Sequence, residues 1–304
     1  HAGMQVAIIE RKKFGGTCVN NGCIPTKTLL ASAYAAHLAN NSAEYGVIID
    51  GAVKVDMKKV KARKDAIVNK ASAGVMTWLE ETANCDVYKG HAAFNSPNSV
   101  IVNDEIVQAD KIFIDVGARA FVPSMPGLDA INYLDNSSIM ALDEVPEHLI
   151  IIGGSYIGLE FAQMFRRFGA RVTVIEKAPR LIAREDEDIS AAVQEILAAE
   201  GINIRVGAEC MRFEKQNNTI KVILDCEHGD NSVVGSHLLL AIGRKPNTDD
   251  LGVDKAGIKL DERGYIVVDD ELKTNVSGIW ALGECNGKGA FTHTSYNDYE
   301  IVAD

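Results

Sequence analysis

Apolar and polar positions along the chain predict short buried strands that alternate with helices. Residues 6–9 form a continuous apolar run of strand length, which ends at Glu10. Such runs are typical of strands buried on both faces of a parallel sheet. Helical patterns follow over residues 26–38 and about 57–81, and both segments carry apolar residues at helical spacing. The N-terminal part of the chain therefore predicts a strand followed by two helices.

Further short strands and a linker are predicted before the middle of the chain. The β-like runs cover residues 86–94, 99–102 and 111–116. Residues 121–127 contain two prolines and predict a linker. We therefore expect a domain boundary close to residue 121.

A second alternation of strands and helices follows this linker. Its predicted elements are strand 149–152, turn 153–158, helix 159–168, strand 172–175, helix 187–200 and strand 202–206. Antiparallel-looking strands are predicted next at 211–214, 219–224 and 233–241, then strands at 265–268 and 278–283 and a helix from Thr294. Strands that alternate with helices predict an α/β fold whose parallel sheet binds ligands at the carboxyl ends of its strands.

Composition and charge narrow the function classes. The 304 residues are 47% hydrophobic and 24% charged, which is ordinary for a globular chain of about two domains. With 42 acidic and 31 basic residues the net charge is −11, which disfavours nucleic acid or an anionic membrane as the main partner. No apolar run approaches the roughly 20 residues of a membrane span, and the first residues lack the pattern of a secretory signal. We therefore expect a cytoplasmic protein.

The clearest phosphate-binding signal lies between the strand at 149–152 and the helix after it. There the glycine-rich sequence GGSYIG stands where a G-x-G-x-x-G loop is expected. The first glycine would form the tight turn and the last would let helix and strand pack closely, while the helix N-terminus would supply amide donors to a pyrophosphate. The alternative is a tight turn without a ligand. The candidate nucleotide-binding residues are Gly153, Gly154, Ser155 (which replaces the second glycine), Tyr156, Ile157 and Gly158.

An acidic residue ends the next predicted strand at the position expected of a ribose ligand. Glu176 follows Gly158 by 18 residues, and its carboxylate could accept hydrogen bonds from both ribose hydroxyls. This arrangement favours NADH over NADPH. Lys177, Arg180 and Arg184 lie close enough along the chain to make a 2′-phosphate tolerable.

Glu10 ends the first strand in the same way and is a second candidate ribose ligand. A glycine loop serving that strand would lie roughly 20 residues upstream, and the sequence does not contain it. We therefore expect the chain to begin inside a fold.

Two cysteines stand in an unusual setting. Cys18 and Cys23 are five residues apart, Gly22 lies between them, and Pro25 suits the first turn of a helix. The N-terminus of that helix would favour the thiolate form of Cys23. A redox-active pair is the leading interpretation, and a metal-binding or purely structural pair is the alternative. The other cysteines, which are Cys85, Cys210, Cys226 and Cys285, are scattered singly and complete no zinc set, so no metal site is expected.

The segment GGTCVNNGCIPTK, residues 15–27, resembles the signature of the flavin-dependent pyridine nucleotide–disulfide oxidoreductases, which include dihydrolipoamide dehydrogenase and mercuric reductase. The resemblance extends to IGGSYIGLEFA at 152–162, AIGRKPN at 241–247 and TNVSGIWALGE at 274–284. It implies two Rossmann-like parallel-sheet domains, the second inserted in the first. The implied FAD-binding domain is 1–121 with 247–304, and the implied NAD(P)-binding domain is 122–246.

The resemblance also implies roles for individual residues. NAD(P)H would pass a hydride to FAD, and the reduced flavin would reduce a Cys18–Cys23 disulfide. Cys23 would contact the flavin, and Cys18 would attack the substrate, a disulfide or a metal ion. Lys27 would be a buried cation near flavin N5 that pairs with Glu160. Tyr156 would gate the flavin, although an ordinary surface tyrosine at a helix start is the alternative.

Further cofactor-binding residues follow from the same resemblance, and two positions depart from the family. The implied residues are Glu10, Gly16, Thr17, Lys27, Gly117, Gly243, Arg244, Gly283 and Glu284. Glu284 stands where the family has Asp, and Asp115-Val116-Gly117 stands where Ala-Thr-Gly is common, so weaker flavin contacts are expected. Relative to the family, the chain also lacks the first glycine loop and the C-terminal interface domain with its His–Glu pair. The full-length parent is expected to be a homodimer.

Three functions remain open from the residues. The first is an NAD(P)H- and FAD-dependent disulfide oxidoreductase. The second is a catalytically silent nucleotide-binding fragment of such an enzyme, and the third is a thiol-based module that sequesters metal.

Overall fold

A computed structural model describes residues 3–225 and 232–303, which fold into α-helices and β-strands. The α-helices are α1 (Gly16–Asn20), α2 (Cys23–Asn40), α3 (Met57–Glu81), α4 (Tyr156–Phe168), α5 (Glu187–Ala199), α6 (Val253–Ala256) and α7 (Thr292–Ala303). Single 3-10 turns lie at Ser42–Tyr45, Leu128–Ala130, Ile139–Ala141 and Gly283–Asn286.

The described strands are three to eight residues long. They are β1 (Val6–Glu10), β2 (Cys85–Lys89), β3 (Ala93–Ser96), β4 (Ser99–Val102), β5 (Glu105–Gln108), β6 (Ile112–Ile114), β7 (Ala118–Ala120), β8 (His148–Ile152), β9 (Arg171–Ile175), β10 (Asn203–Arg205), β11 (Glu209–Gln216), β12 (Thr219–Asp225), β13 (Ser232–Gly235), β14 (His237–Leu240), β15 (Arg244–Pro246) and β16 (Ile279–Ala281).

The described residues form two compact units. The first unit consists of residues 3–20, 69–119 and 244–303. The second consists of residues 21–68 and 120–243, apart from the undescribed stretch 226–231. The unit boundaries near 119 and 243 lie within a few residues of the predicted domain boundaries, whereas residues 21–68 group with the second unit.

The second unit is built on a four-stranded parallel sheet in the order β10-β9-β8-β14. Leu149, Ile150 and Ile151 of β8 are completely buried, since both faces of this central strand are covered. Helix α2 packs against α4, and Leu29 and Ala33 share one core with Phe161. This packing explains why residues 21–68 belong to the second unit.

An antiparallel sheet, β11-β12-β13, completes the second unit. Val222 and Phe213 bury one of its faces in a core with Leu238 and Leu240 of the parallel sheet.

The first unit contains two parallel strand pairs, β1 with β2 and β6 with β16. An antiparallel sheet, β3-β4-β5, lies in the same unit. The core of the first unit contains buried aliphatic residues such as Ile114, Ile266 and Ile279. The carboxyl ends of β1, β6 and β16 carry Glu10, Gly117 and Gly283, respectively, either at the last strand residue or within three residues of it.

The hydrophobic pattern predicted most elements but not all of their partners. The strand at 6–10 and the helix at 57–81 are confirmed with the same bounds. The prediction of one antiparallel strand over 233–241 is wrong, because β13 pairs antiparallel with β12 whereas β14 pairs parallel with β8. Gly235 is the last residue of β13, and a Cβ there would lie 2.7 Å from Ile150 Cγ1. The predicted strand at 265–268 is also wrong, since Ile266 forms only an isolated bridge with Leu260.

Candidate functional site

The glycine loop from the end of β8 into the first turn of α4, residues 153–158, leaves no space for a Cβ atom at its three glycines. Gly153 has φ of +111°, and a Cβ there would lie 2.3 Å from the carbonyl oxygen of Ala241. A Cβ on Gly158 would lie 2.1 Å from the Gly153 carbonyl oxygen, and one on Gly154 would lie 2.6 Å from Leu181 Cδ2. The loop therefore brings backbone to backbone at a distance that only glycine allows.

Amides at the start of α4 lie at the carboxyl end of β8. Ser155 is the N-cap residue of α4, has an extended backbone and makes no capping hydrogen bond with its side chain. Ser155 and Tyr156 are exposed, whereas Ile157 is half-buried. A helix N-terminus whose first amides lack a side-chain cap is suited to accept an anion such as a pyrophosphate.

Glu176 lies directly after β9, the strand next to β8, and is joined to the glycine loop. Its Oε2 accepts a hydrogen bond from the Gly154 amide at 2.5 Å, and its Oε1 accepts one from the Ala178 amide at 2.7 Å. The structure thus brings the predicted ribose ligand and the predicted phosphate loop together at the same edge of the sheet.

Among the basic residues that follow Glu176, Arg180 forms hydrogen bonds within its own segment of the chain. Arg180 Nη1 donates to Glu187 Oε1 at 2.7 Å, and its Nη2 donates to the carbonyl oxygens of Ala183 and Glu185 at 3.3 and 3.2 Å. Arg180 therefore holds its own loop together. Arg180 is one of the three basic residues that the sequence predicted near a 2′-phosphate, and its guanidinium is bound to other residues of the same loop.

Tyr156, the first residue of α4, donates a hydrogen bond from its phenol to the carboxylate of Glu185. This bond raises the pKa of Tyr156 because the neutral phenol, not the phenolate, is the donor. The sequence did not indicate Glu185. Its position just before the N-cap of α5, Asp186, is the only signal that could have drawn attention to it.

Lys27 on α2 and Glu160 on α4 form an ion pair within the second unit. The resemblance implied this pair. The side chain of Lys27 is 66% exposed, however, so the expectation of a buried cation is not met in this chain.

Cys23 is the first residue of α2 and is exposed, and Pro25 lies in the first helical turn as predicted. The segment before it is fixed by side-chain bonds. Asn21 Nδ2 donates to Ser137 Oγ at 2.8 Å, and Asn136 Nδ2 donates to the Asn21 carbonyl oxygen at 3.1 Å. Gly22, the N-cap of α2, accepts the first helical hydrogen bond from Thr26.

Cys18 lies in the first unit, in the short helix α1, and is half-buried. The Asn20 amide supports this turn by donating to the carbonyl oxygens of Phe14 and Gly16, at 3.0 Å each. Gly16 and Thr17 begin the helix and are both exposed.

Two flavin-side candidates of the first unit, Glu10 and Gly117, lie at the carboxyl ends of its parallel strands or within three residues of them. Glu10 ends β1, and its Oε1 accepts a hydrogen bond from the Lys12 amide at 2.6 Å. Gly117, three residues beyond β6, has φ of +60° and faces open space on its Cβ side. These two positions fit an acidic ribose ligand and a close backbone approach, respectively.

The second flavin motif fits less well because its groups are already paired inside the first unit. Glu284 forms an ion pair with Arg244, whose side chain is only 16% exposed, and Arg244 also donates to the Ala118 carbonyl oxygen at 2.7 Å. The Gly283 amide donates to Asp298 Oδ2 at 2.8 Å. Glu284, at which the sequence predicted an altered flavin contact, is thus paired with Arg244.

Asp115, the other departure from the family, lies beside this motif. A Cβ on Gly283 would lie 2.7 Å from Asp115 Oδ1. Surrounding protein atoms and the negative charge of Asp298 raise the pKa of Asp115. Gly243, the remaining predicted residue, has φ of +140°, is exposed and lies at the end of the second unit.

The described residues contain no group of three or more His, Cys, Asp or Glu that could hold a metal ion. The side chain of Cys210, and Cys226 as a whole, lie outside the described residues. In the same part of the chain, no helix has the length and apolar character needed to cross a bilayer.

Comparison with known proteins defines the class. The sequence model of the family described as "Pyridine nucleotide-disulphide oxidoreductase" matches residues 1–298. The chain belongs to this family, whose members are flavoproteins that use FAD and NAD(P)H. The resemblance inferred from the motifs, and the α/β fold with Rossmann-like domains, are therefore confirmed.

Several curated members of this family are similar to the chain over nearly its whole length. It is 37% identical to the probable pyridine nucleotide-disulfide oxidoreductase RclA of Escherichia coli, over 100% of this chain and 65% of RclA. It is 36% identical to the mercuric reductase of Streptomyces lividans, over 99% of this chain and 65% of that protein. It is 32% identical to the dihydrolipoyl dehydrogenase of Acholeplasma laidlawii, over 97% of this chain and 87% of that protein.

Solved structures agree with the sequence comparison. The HOCl-induced flavoprotein disulfide reductase RclA from Escherichia coli, solved also as a Cu(II) complex, matches with a TM-score of 0.88 and 37% identity. The match covers 100% of this chain and 66% of that one. The chain thus spans about two thirds of the length of RclA and of the Streptomyces lividans mercuric reductase.

Proposed function

We propose that this chain carries the NAD(P)H site and the redox-active dithiol of a flavoprotein disulfide reductase. In the proposed net reaction NAD(P)H, a proton and a disulfide yield NAD(P)⁺ and two thiols. With a metal ion as substrate, the same two electrons reduce the ion.

One observation carries the proposal: the glycine loop and the Glu176 carboxylate lie together at the carboxyl ends of adjacent parallel strands. A dinucleotide needs a donor-lined turn for its pyrophosphate and an acceptor for the ribose hydroxyls. Gly153 and Gly158 provide the close turn, and the α4 N-terminus provides amide donors. Glu176 provides the acceptor, and its Oε2 lies 2.5 Å from the Gly154 amide nitrogen.

NADH is the preferred dinucleotide in this proposal. A ribose 2′-phosphate would lie against the Glu176 carboxylate and would be repelled by it. Arg180, which could offset that repulsion, is bound to Glu187 and to two carbonyl oxygens.

The dithiol consists of Cys18 and Cys23. FAD, when bound, supplies the relay that accepts a hydride and returns an electron pair to the Cys18–Cys23 disulfide. Cys23 begins α2, where the helix N-terminus favours a thiolate. It would lie beside the flavin when FAD is bound. Cys18 is the interchange thiol that attacks the substrate and forms a mixed disulfide, which Cys23 then resolves.

Lys27, Glu160 and Tyr156 complete the proposed active site. Lys27 supplies a positive charge whose place is fixed by Glu160, and a cation beside the flavin favours its anionic reduced form. Glu10 and Gly117 would hold parts of FAD in the first unit. The full-length protein is proposed to be a cytoplasmic homodimer that acts on a small disulfide or a metal ion.

Substitution of Cys18 tests the function. Cys18→Ser should retain NADH binding, bound flavin and a long-wavelength charge-transfer band between Cys23 and flavin. Its disulfide-reductase turnover should fall by roughly a hundredfold or more, because the attacking thiolate is lost. Cys85→Ser, on β2, is the matched control and should keep full turnover. Full turnover of Cys18→Ser would contradict the proposal.

A second candidate is a nucleotide-binding protein that binds NADH but no flavin. It is favoured by the pairing of Glu284 with Arg244 and of the Gly283 amide with Asp298, which satisfies the second flavin motif internally. The absorption spectrum of the purified protein separates the candidates. A flavin spectrum supports the reductase, whereas a colourless protein that still binds NADH supports the second candidate.

A further inference from the structure

The segment between β9 and α5 is held in one conformation by bonds at both of its ends. Ile182 has φ of +39°, a region that a β-branched residue enters only when its surroundings impose it. The Ser190 hydroxyl of α5 donates to the Leu181 carbonyl oxygen at 2.7 Å. Arg180 binds the carbonyl oxygens of Ala183 and Glu185. We call residues 180–187 the β9–α5 loop.

This loop is fastened to the glycine loop. The Ile182 amide donates to the Gly154 carbonyl oxygen at 2.9 Å, and the Glu185 amide donates to the Ile182 carbonyl oxygen at 2.8 Å. A change in the position of Glu185 is therefore coupled to the backbone that faces the pyrophosphate site.

Glu185 is the member of the loop that reaches Tyr156. Its carboxylate accepts the phenol hydrogen bond, so the tyrosine ring is held on the α5 side of the α4 N-terminus. There the ring borders a mainly apolar cavity of about 390 Å³, together with Ile182 and with Val193 of α5.

We propose that Glu185 is a positioning residue that holds Tyr156 aside and keeps the α4 N-terminus open to the dinucleotide. This inference rests on the proposed NAD(P)H site and adds a residue that regulates access to it. When the hydrogen bond is absent, the ring covers the α4 N-terminus for part of the time. The apparent affinity for NADH then falls in proportion to the fraction of molecules that stay open.

NADH binding to four variants of the chain tests this proposal, with dissociation constants from calorimetry. Glu185→Ala should weaken binding by about three- to tenfold. Tyr156→Phe lacks the phenol hydroxyl and should weaken binding to a similar extent. Tyr156→Ala lacks the ring, so adding Glu185→Ala to it should cause no further loss. Such non-additivity is expected only if Glu185 acts through Tyr156.

A second measurement follows Tyr156 itself. A pH titration of phenolate absorbance, taken as the difference between each protein and its Tyr156→Phe counterpart, reports the pKa of Tyr156 alone. That pKa should be above its ordinary value in the wild-type protein and should move back toward it in Glu185→Ala. Glu195→Ala, an exposed carboxylate on α5, removes the same charge and should change neither the pKa nor the binding.

The outcomes separate the two proposals. Weaker binding of equal size in the Tyr156→Ala background, or an unchanged Tyr156 pKa in Glu185→Ala, would show that Glu185 does not act through the tyrosine. Normal NADH binding by Glu185→Ala would overturn the access role while leaving the nucleotide site intact. A wild-type chain that binds no NADH would overturn the proposed function and the access role together.

Discussion

The Glu176 carboxylate accepts hydrogen bonds from the amides of Gly154 and Ala178 and so joins the end of one strand to the loop after its neighbour. A side chain expected to contact only a ligand thus also organises the protein. The proposed ribose contact and the hydrogen bonds to the two amides use the same two carboxylate oxygens of Glu176.

Substitution of Glu176 should therefore change both stability and dinucleotide preference. Glu176→Arg should raise the ratio of NADPH to NADH affinity, because an attractive charge replaces a repulsive one beside the 2′-position. It should also cost about 1–3 kcal/mol of unfolding free energy, because two partly buried amides lose their acceptor. Calorimetry with both dinucleotides and urea unfolding measure the two effects. An unchanged ratio would remove Glu176 from the ribose site.

The tight turn at Gly153 predicts a large cost for a single methyl group. Gly153→Ala combines an unfavourable φ of +111° with a Cβ placed 2.3 Å from the Ala241 carbonyl oxygen. Gly169, the C-cap of α4, has a similar φ of +109° but faces open space, so Gly169→Ala is a matched control. The control should cost about 1 kcal/mol, and Gly153→Ala about 1–3 kcal/mol more. Equal losses in urea unfolding would show that the close approach to Ala241 is unimportant.

A partly buried ion pair stabilises the C-terminal end of α4. Arg167 contacts Glu200 at 2.7 Å, and both side chains are about 15% exposed. Burial opposes the charged form of Glu200, but the hydrogen bonds and positive charge of Arg167, together with the Gln163 hydrogen bond, outweigh it, so the pKa of Glu200 is lowered. A lowered folded-state pKa adds stability above the unfolded value near 4.5, and this stability is lost as pH falls through the folded value.

Arg167→Met should accordingly destabilise the protein by about 2–4 kcal/mol at pH 7 and by clearly less at pH 3. Arg171→Met is the control, since the Arg171–Glu147 pair is 68% and 81% exposed and should contribute less than about 1 kcal/mol. Urea unfolding at both pH values measures the difference. A loss independent of pH would mean that packing of Arg167, not its charge, supports α4.

The sequence predicted those parts of the fold and site that depend on local patterns. The apolar run of β8 and the glycines after it predicted a strand and a tight turn, and both are present. The pairing of β14 with β8 was not predictable from local pattern, because a short apolar run is the same in parallel and antiparallel sheets.

Side-chain partners were harder to predict than motif positions. Glu185 contacts Tyr156 across 29 residues, and Arg244 contacts Glu284 across 40. Neither pair has a local spacing rule, so each depends on how the elements pack. Lys27 and Glu160 are 133 residues apart, and family resemblance alone implied that pair.

Titration of the chain with NADH tests the central claim most directly. The account predicts saturable binding at one site per chain, displaced by NAD⁺ and lost or strongly weakened in Gly153→Ala, with Gly169→Ala retaining wild-type affinity. Absence of saturable binding in a folded wild-type chain, or equal affinity in wild type and Gly153→Ala, would contradict the assignment of the glycine loop as the nucleotide site.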